Sequence, residues 1–214
     1  VILKTNIVLP LKEPERAKTR LTLVLDKAAR AKLVMTLFQQ NIERLKEFFP
    51  EHNILVVTPS ERVAKLARAY NLDVLKERYP RGLAAAIEAA TNWSLTHGFA
   101  SQLVLSPDIA HLDVGELTQL LEHARPNPSV LLCAAKDNGT NAILTTPPDA
   151  IDFWFGVNSL PAYQRRALAL NLFCQTLNLE HMSFDVDTPV DMEKLIAAPS
   201  GARLQNLIEG WKRP

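Results

Sequence analysis

Apolar and polar positions along this chain alternate between two periods. Short apolar runs recur at "NIVLPL" (6–11), "NILVVTP" (53–59), "SQLVLSPD" (101–108), "SVLLCAA" (129–135) and "MSFDVD" (182–187), and each reads as a strand. Their near-continuous apolarity predicts strands covered on both faces. Between them, "LDKAARAKLVMTLFQQNIERLKEFF" places Leu33, Met35, Leu37, Phe38, Ile42, Leu45, Phe48 and Phe49 at helical spacing, and Pro50 stops the run. "ERVAKLARAY", "GLAAAIEAATNWSLTHG" and "VGELTQLLEHA" repeat that period, the second closing at Gly98. Strand–helix alternation of this kind predicts an α/β fold: a mainly parallel sheet, helices on both faces, right-handed crossovers. "APSGA" (198–202) loosens the link to a last helix, "RLQNLIEGWK".

Length and composition narrow the class. The 214 residues suit one domain spanning 1–214, and 47% hydrophobic with 22% charged residues is ordinary for a soluble globular chain. No apolar run nears the roughly 20 residues that cross a bilayer. The start, Val1-Ile2-Leu3-Lys4, lacks the basic and apolar regions of a signal peptide, and Cys133 and Cys174 are too few for a disulfide framework, so a reduced, cytoplasmic protein without membrane partners is expected. A net charge of +1 offers no broad basic face for a nucleic-acid polymer. A local cationic site remains open.

In parallel sheets the ligand site lies beyond the carboxyl ends of the strands. After the first strand, "PLKEPERAKTRL" gathers Lys12, Arg16, Lys18 and Arg20, a set suited either to a polyphosphate or to a solvated loop and helix face. It is not a Walker motif, and G-x-G-x-x-G is absent too. Asp108 closes "LVLSPD"; Asp185 and Asp187 close "FDVD" and, two apart on a strand, share a face. Converging carboxylates form a hard-oxygen site for Mg²⁺ or Mn²⁺, and without a cation they repel. For Asp187 an N-cap in "DTPVDMEKL" is the competing explanation. "KDNGTNAILTTPP" (136–148) sets small polar residues at a strand edge, as an anion site or an ordinary turn would. In "FWFGVNSLPAYQRRAL" (153–168), Gly156 and Ser159 flank a turn into a helix near Pro161, where free N–H groups suit an anion or simply a helix start.

Taken in order, "VLPLKEPERAKTRL", "VLKERYPRGLAAAIEAA", "LVLSPD", "GTNAIL", "FGVNS" and "DVDTPVDMEKL" resemble the 2-phospho-L-lactate guanylyltransferase family of deazaflavin-coenzyme biosynthesis. The resemblance covers nearly the whole chain. It implies a Rossmann-like GT-A nucleotidyltransferase fold, shared with the molybdenum-cofactor guanylyltransferases. It also implies a reaction in which the phosphate of 2-phospholactate, phosphoenolpyruvate or a phosphoglycerate attacks the α-phosphorus of GTP and releases pyrophosphate. On the matching positions, Pro10, Lys12, Lys18, Arg20 and Gly82 would hold the nucleotide, with Lys18, Arg20 and Asp108 catalytic. Asp108, Asp185 and Asp187 would bind the metal, and Thr140, Gly156 and Ser159 the small acid. The chain departs from the family at Ala84, where an Asn is usual, at Ser106-Pro107-Asp108-Ile109-Ala110, where P-A-D-x-P is usual, at Tyr163, where a His is usual, and in a shortened segment before "GTN". Those departures leave open a binding-only member, or a transferase for another nucleotide or a sugar phosphate. The start of the 82–98 helix also suits packing against a second copy, as a homodimer would require.

Overall fold

A computed structural model describes residues 3–125 and 128–197. The segment 198–214, with the expected last helix, lies outside the described residues. The chain runs β1 (Thr5–Pro10), α1 (Lys27–Phe48), β2 (Asn53–Thr58), α2 (Glu61–Ala69), β3 (Asp73–Lys76), α3 (Leu83–Thr96) and β4 (Ser101–Leu105). It continues through α4 (Val114–Glu122), β5 (Ser129–Ala134), β6 (Thr140–Thr146), α5 (Ser159–Ala169), β7 (Phe173–Leu177) and α6 (Pro189–Ala197). No helix among the described residues is long and apolar enough to cross a membrane.

Among the described residues, seven strands form one sheet in the order β3-β2-β1-β4-β6-β5-β7. Only β6 runs against its neighbours, pairing antiparallel with both β4 and β5; the other pairs are parallel. Successive residues explain the continuous apolar runs. Ile7 and Leu9 join one core with the inner faces of α1, α2 and α4, while Val8 between them joins the other with α3 and α5. Leu103, Val104 and Leu105 in β4 divide the same way, as do Val130, Leu131 and Leu132 in β5. At roughly 25 cal/mol per Å² of buried apolar surface, these doubly covered strands are the main stabilising element.

Two outcomes differ from the sequence pattern. β3 and β7 were not expected, because both are sheet edges with partly exposed side chains, "DVLK" and "FCQTL", and carry no apolar run. Conversely, 182–187 is not a strand. It forms a single antiparallel bridge, Asp185 to Ile109, with Ala110 N–H donating to the Phe184 carbonyl at 3.0 Å, and Asn141 of β6 donates to the Met182 carbonyl at 3.1 Å. Val186 is nonetheless fully buried, packed with Leu21, Leu25, α1 and α6, so Asp185 and Asp187 on either side of it still face together.

The topology fixes where chemistry can occur. The chain leaves β1 toward β2 and β3, then returns to β4 on the other flank, so the ends of β1 and β4 bound the point where strand order reverses. Because β6 is reversed, its first residue, Thr140, stands at that same edge, and the Ser106 N–H reaches the Asn141 carbonyl at 2.8 Å.

Candidate functional site

A cavity of about 390 Å³ opens at this edge, within the roughly 300–1,000 Å³ usual for small-ligand sites. Its walls come from segments distant in sequence. The β1 end supplies Pro10, Leu11 and Lys12, then Arg16 and Lys18; the β4 end supplies Ser106–Asp108; the β5–β6 turn supplies Asp137 and Gly139–Asn141; Gly156, Asp185 and Asp187 complete it. A second lobe of about 440 Å³ shares Pro10, Leu11, Lys12, Arg16 and Leu83 with the first and extends past β2 and β3 to Glu77 and Gly82.

Lys18 lies at the centre. Its Nζ is 2.8 Å from Asp108 Oδ2 and 2.8 Å from Asp187 Oδ1, and its side chain is 1% exposed. Burial alone would lower its pKa, but the two carboxylates outweigh it and hold Lys18 above the ordinary lysine value. The backbone takes a left-handed conformation at this residue, φ 53° and ψ 42°, where the other described non-glycine residues at positive φ are all Asn. For a lysine that conformation costs about 1–3 kcal/mol, retained because it aims the ammonium between the aspartates. Arg20 does not line the cavity; exposed, it approaches Asp187 Oδ2 from the rim at 3.8 Å.

The competing account of Asp187 as a helix cap is corrected by the geometry. Thr188 caps α6: Asp191 Oδ2 accepts from the Thr188 N–H at 2.9 Å and from its hydroxyl at 2.7 Å, and the Asp191 N–H returns to Thr188 Oγ1 at 3.3 Å. The cap is thus one residue later than the sequence suggested, and the Asp187 carboxylate is left facing Lys18. Asp185 sits deeper. Burial first, then the charge of Asp187, pushes its carboxyl above the usual aspartate range, with Lys18 opposing.

A divalent cation fits this donor set. Asp108 Oδ1 is buried and has no hydrogen-bond partner among the described residues, and Asp108, Asp185 and Asp187 offer hard carboxylate oxygens. No three acidic, His or Cys side chains among the described residues converge as a ready-made cage, so the expected trio of Asp108, Asp185 and Asp187 is not preassembled. Mg²⁺ commonly takes one or two carboxylates and completes its shell with water and substrate phosphates, which two aspartates suffice to begin. The cation that those carboxylates require is here the Lys18 ammonium.

Across the cavity, Thr140 Oγ1 and Ser159 Oγ are 2.9 Å apart, joining the start of β6 to the start of α5. The Leu160 N–H donates to the Asn138 carbonyl at 3.0 Å. An added Cβ on Gly139 would stand 3.2 Å from the Gly156 carbonyl and 2.6 Å from Asp137 Oδ1, so a side chain there would displace the Asp137 carboxylate and push the two turns apart by a few tenths of an ångström. Thr140 and Gly156 line the cavity; Ser159, 6% exposed, stands behind Thr140. Of the expected site residues, Pro10, Lys12, Lys18, Asp108, Thr140, Gly156, Asp185 and Asp187 meet in one lobe and Gly82 lines the other. The departures at Tyr163 and Ala84 fall outside these walls. Tyr163 is fully buried with its hydroxyl accepting from the Trp154 N–H at 2.9 Å, and Ala84 is exposed on α3.

Sequence reasoning left Glu77, Asp137 and Asn141 unassigned. Glu77 follows an edge strand with no apolar signature, whereas Asp137 and Asn141 flank the "NGT" turn already singled out.

The sequence profile described as "Guanylyl transferase CofC like" matches residues 5–210. The chain belongs to this family. The CofC-like chain is 44% identical over 207 residues to the 3-phospho-D-glycerate guanylyltransferase of Colwellia psychrerythraea, covering 96% of this chain and 98% of that one. It is 31% identical to the phosphoenolpyruvate guanylyltransferase of Rubrobacter xylanophilus, over 89% and 93% of the two chains. Among solved structures it resembles a cytidylyltransferase from Leptospira borgpetersenii, with a TM-score of 0.60 at 15% identity over 97% and 94% of the chains. That last likeness is one of fold: the nucleotidyltransferase α/β sheet.

Proposed function

We propose that this CofC-like chain transfers GMP from GTP to the phosphate of a small phosphorylated carboxylic acid, with 3-phospho-D-glycerate the first candidate and phosphoenolpyruvate and 2-phospho-L-lactate the others. An oxygen of the acceptor phosphate forms the new bond to the α-phosphorus, the bond to the bridging oxygen of the β-phosphate breaks, and pyrophosphate leaves with the electron pair. The choice among acids follows the relative at 44% identity. The observation that carries the reading is Lys18, held with Asp108 and Asp187 opposite the Thr140–Gly156 wall of one cavity.

Such a transfer asks for positioning and charge neutralisation rather than a protein nucleophile, since the acceptor phosphate is already ionised near neutral pH. Lys12, Arg16 and Lys18 line the cavity where a triphosphate would lie, with Arg20 at its edge. Asp108 and Asp187, with Asp185 behind them, would hold Mg²⁺ or Mn²⁺. Such an ion neutralises charge on the transferred phosphoryl group and orients the attacking oxygen. Thr140, Gly156 and Ser159 would receive the second anion through hydroxyl and backbone donors. Neither cysteine enters: burial pushes the Cys133 thiol to about 12 and raises Cys174 as well.

The test combines the protein, GTP and Mg²⁺ with each acid in turn and measures pyrophosphate. Release that requires one acid supports the proposal; no release with any of the three ends it. The departures at Tyr163 and Ala84 lend a binding-only member no support, because neither residue lines the cavity; Ser106 and Pro107, which also depart, do line it, beside the retained Asp108.

A further inference from the structure

We propose that Glu77 selects guanine, its carboxylate accepting hydrogen bonds from the N1–H and the exocyclic 2-amine of the base seated in the second lobe; this rests on the guanylyl-transfer reading above. The lobe has the shape and chemistry of a base site. Pro10, Leu11, Val57, Pro59, Leu83 and Ala86 give it apolar walls, against which a planar purine buries its faces. It adjoins the lobe of Lys18 and the aspartates through the shared Lys12–Arg16 wall, so a nucleotide with its triphosphate among the cations reaches it with its base.

Glu77 is fixed in place. It follows β3, and its N–H donates to the Thr58 carbonyl at 3.0 Å, tying it to the end of β2. Its carboxylate makes no ion pair or hydrogen bond among the described residues. Burial raises its pKa above the usual glutamate range; Lys12 opposes this without closing to ion-pair distance. A partly desolvated carboxylate with no hydrogen-bond partner among the described residues, beside the apolar walls of the lobe, wants two adjacent donors, and guanine presents them on one edge. Adenine places an acceptor at N1, facing the carboxylate with a repulsive lone pair. Hypoxanthine offers one donor in place of two. A site built on such hydrogen bonds rejects analogues lacking them, because its own polar group is then left unpaired.

Glu13 also lines the lobe, on the β1 side beside the cations, and serves as the control. The experiment measures kcat/KM for GTP, ITP, XTP and ATP in the wild type, Glu77→Gln, Glu77→Asp and Glu13→Gln. Xanthine replaces the 2-amine by a carbonyl, which the side-chain amide introduced by Glu77→Gln can satisfy and a carboxylate cannot. Glu77→Gln is expected to lose about 10–100-fold on GTP, consistent with charged hydrogen bonds of about 1.5–3 kcal/mol, and to move its preference toward XTP. Glu77→Asp keeps the carboxylate and should keep excluding XTP, which separates base recognition from misfolding. An unchanged GTP:XTP ratio in Glu77→Gln, or the same shift in Glu13→Gln, overturns the assignment. Nucleotide-induced melting shifts read the same ratios without turnover. A protein that discriminates GTP from XTP through Glu77 yet releases no pyrophosphate refutes the transfer reading and leaves this one standing.

Discussion

Lys18 and Asp187, 169 positions apart, meet at 2.8 Å, and the same ammonium lies 2.8 Å from Asp108. If these carboxylates hold the metal as proposed, the ammonium and a divalent cation would compete for the same oxygens until a triphosphate offers Lys18 other partners. Lys18→Met removes the resident cation and leaves the carboxylates in mutual repulsion. Its melting temperature should fall in EDTA and recover with Mn²⁺ alone, while the wild type responds little to Mn²⁺ without nucleotide. Transfer activity should drop about 10²–10³-fold, the scale of losing one preorganised charge-stabilising donor. Tight Mn²⁺ binding by the nucleotide-free wild type, measured by electron paramagnetic resonance, would contradict the competition.

Asp185 is a stability liability kept at the site. Its folded-state pKa is raised by burial and by Asp187, so the native state holds a proton that the unfolded chain has lost over the window above pH 3.8. Stability therefore declines as pH rises through that window. Asp185→Asn removes the charge at nearly constant shape. The variant should melt a few degrees higher at neutral pH and lose most of its transfer activity; calorimetry beside a pyrophosphate assay checks both. A lower melting point would assign Asp185 a structural task instead.

Much of this was legible in the residues. Doubly buried strands announce themselves as apolar runs: β1, β2 and β5 fall within one residue of the runs at 6–11, 53–59 and 129–135, and β4 starts with the run at 101–108 and ends three residues before it. The edges β3 and β7 were silent because exposed strands need no apolar continuity, and with β3 went Glu77. Thr140 was found as a turn residue, but its arrival beside Asp108 depends on β6 running antiparallel, a tertiary fact that local pattern does not encode. The meeting of Lys18 with Asp187 is of the same kind. Asp187 illustrates the limit in the other direction. "DTPVD" satisfies capping rules at either Asp187 or Thr188, and only the hydrogen bonds of Asp191 decide between them.

Tyr163, where the resembled family usually has His, acts through Trp154. Its buried hydroxyl accepts the Trp154 N–H two residues before Gly156. Tyr163→Phe leaves that N–H without a partner at a cost of about 1–3 kcal/mol. Because the loosened segment belongs to the Thr140–Gly156 wall, KM for the acid should rise while KM for GTP stays nearly constant. Equal changes in both would place the effect in global stability.

Glu116 anchors the segment that delivers the aspartates, and its partner His181 makes the anchor pH-sensitive. Glu116 Oε1 accepts from the His181 N–H and from His181 Nδ1, both at 2.9 Å, while Oε2 accepts from the Met182 N–H at 2.8 Å. The hydrogen bond to Glu116 holds the His181 pKa above its ordinary value, with Asp113 and Glu180 adding to it. A raised histidine pKa contributes stability that is fully present below the unfolded value near 6.5 and is lost as pH rises through the folded one. His111, packed edge-on to His181 at 5.5 Å, works the other way. Burial, Arg44 and His181 lower its pKa, against Asp113 and Glu116, so its contribution is lost as pH falls below 6.5. Opposed slopes on the two sides of 6.5 predict a shallow optimum there. His181→Gln should flatten the alkaline side, seen as a melting-temperature difference from wild type that is largest below pH 6.5 and shrinks above it. The same substitution relieves a like charge beside His111 and so should also soften the acidic slope. Glu116→Ala, which strands two backbone donors, should cost about 1–3 kcal/mol and weaken transfer by loosening the path to Asp185. A Glu116→Ala protein with unaltered melting and activity would show that the segment is held from elsewhere.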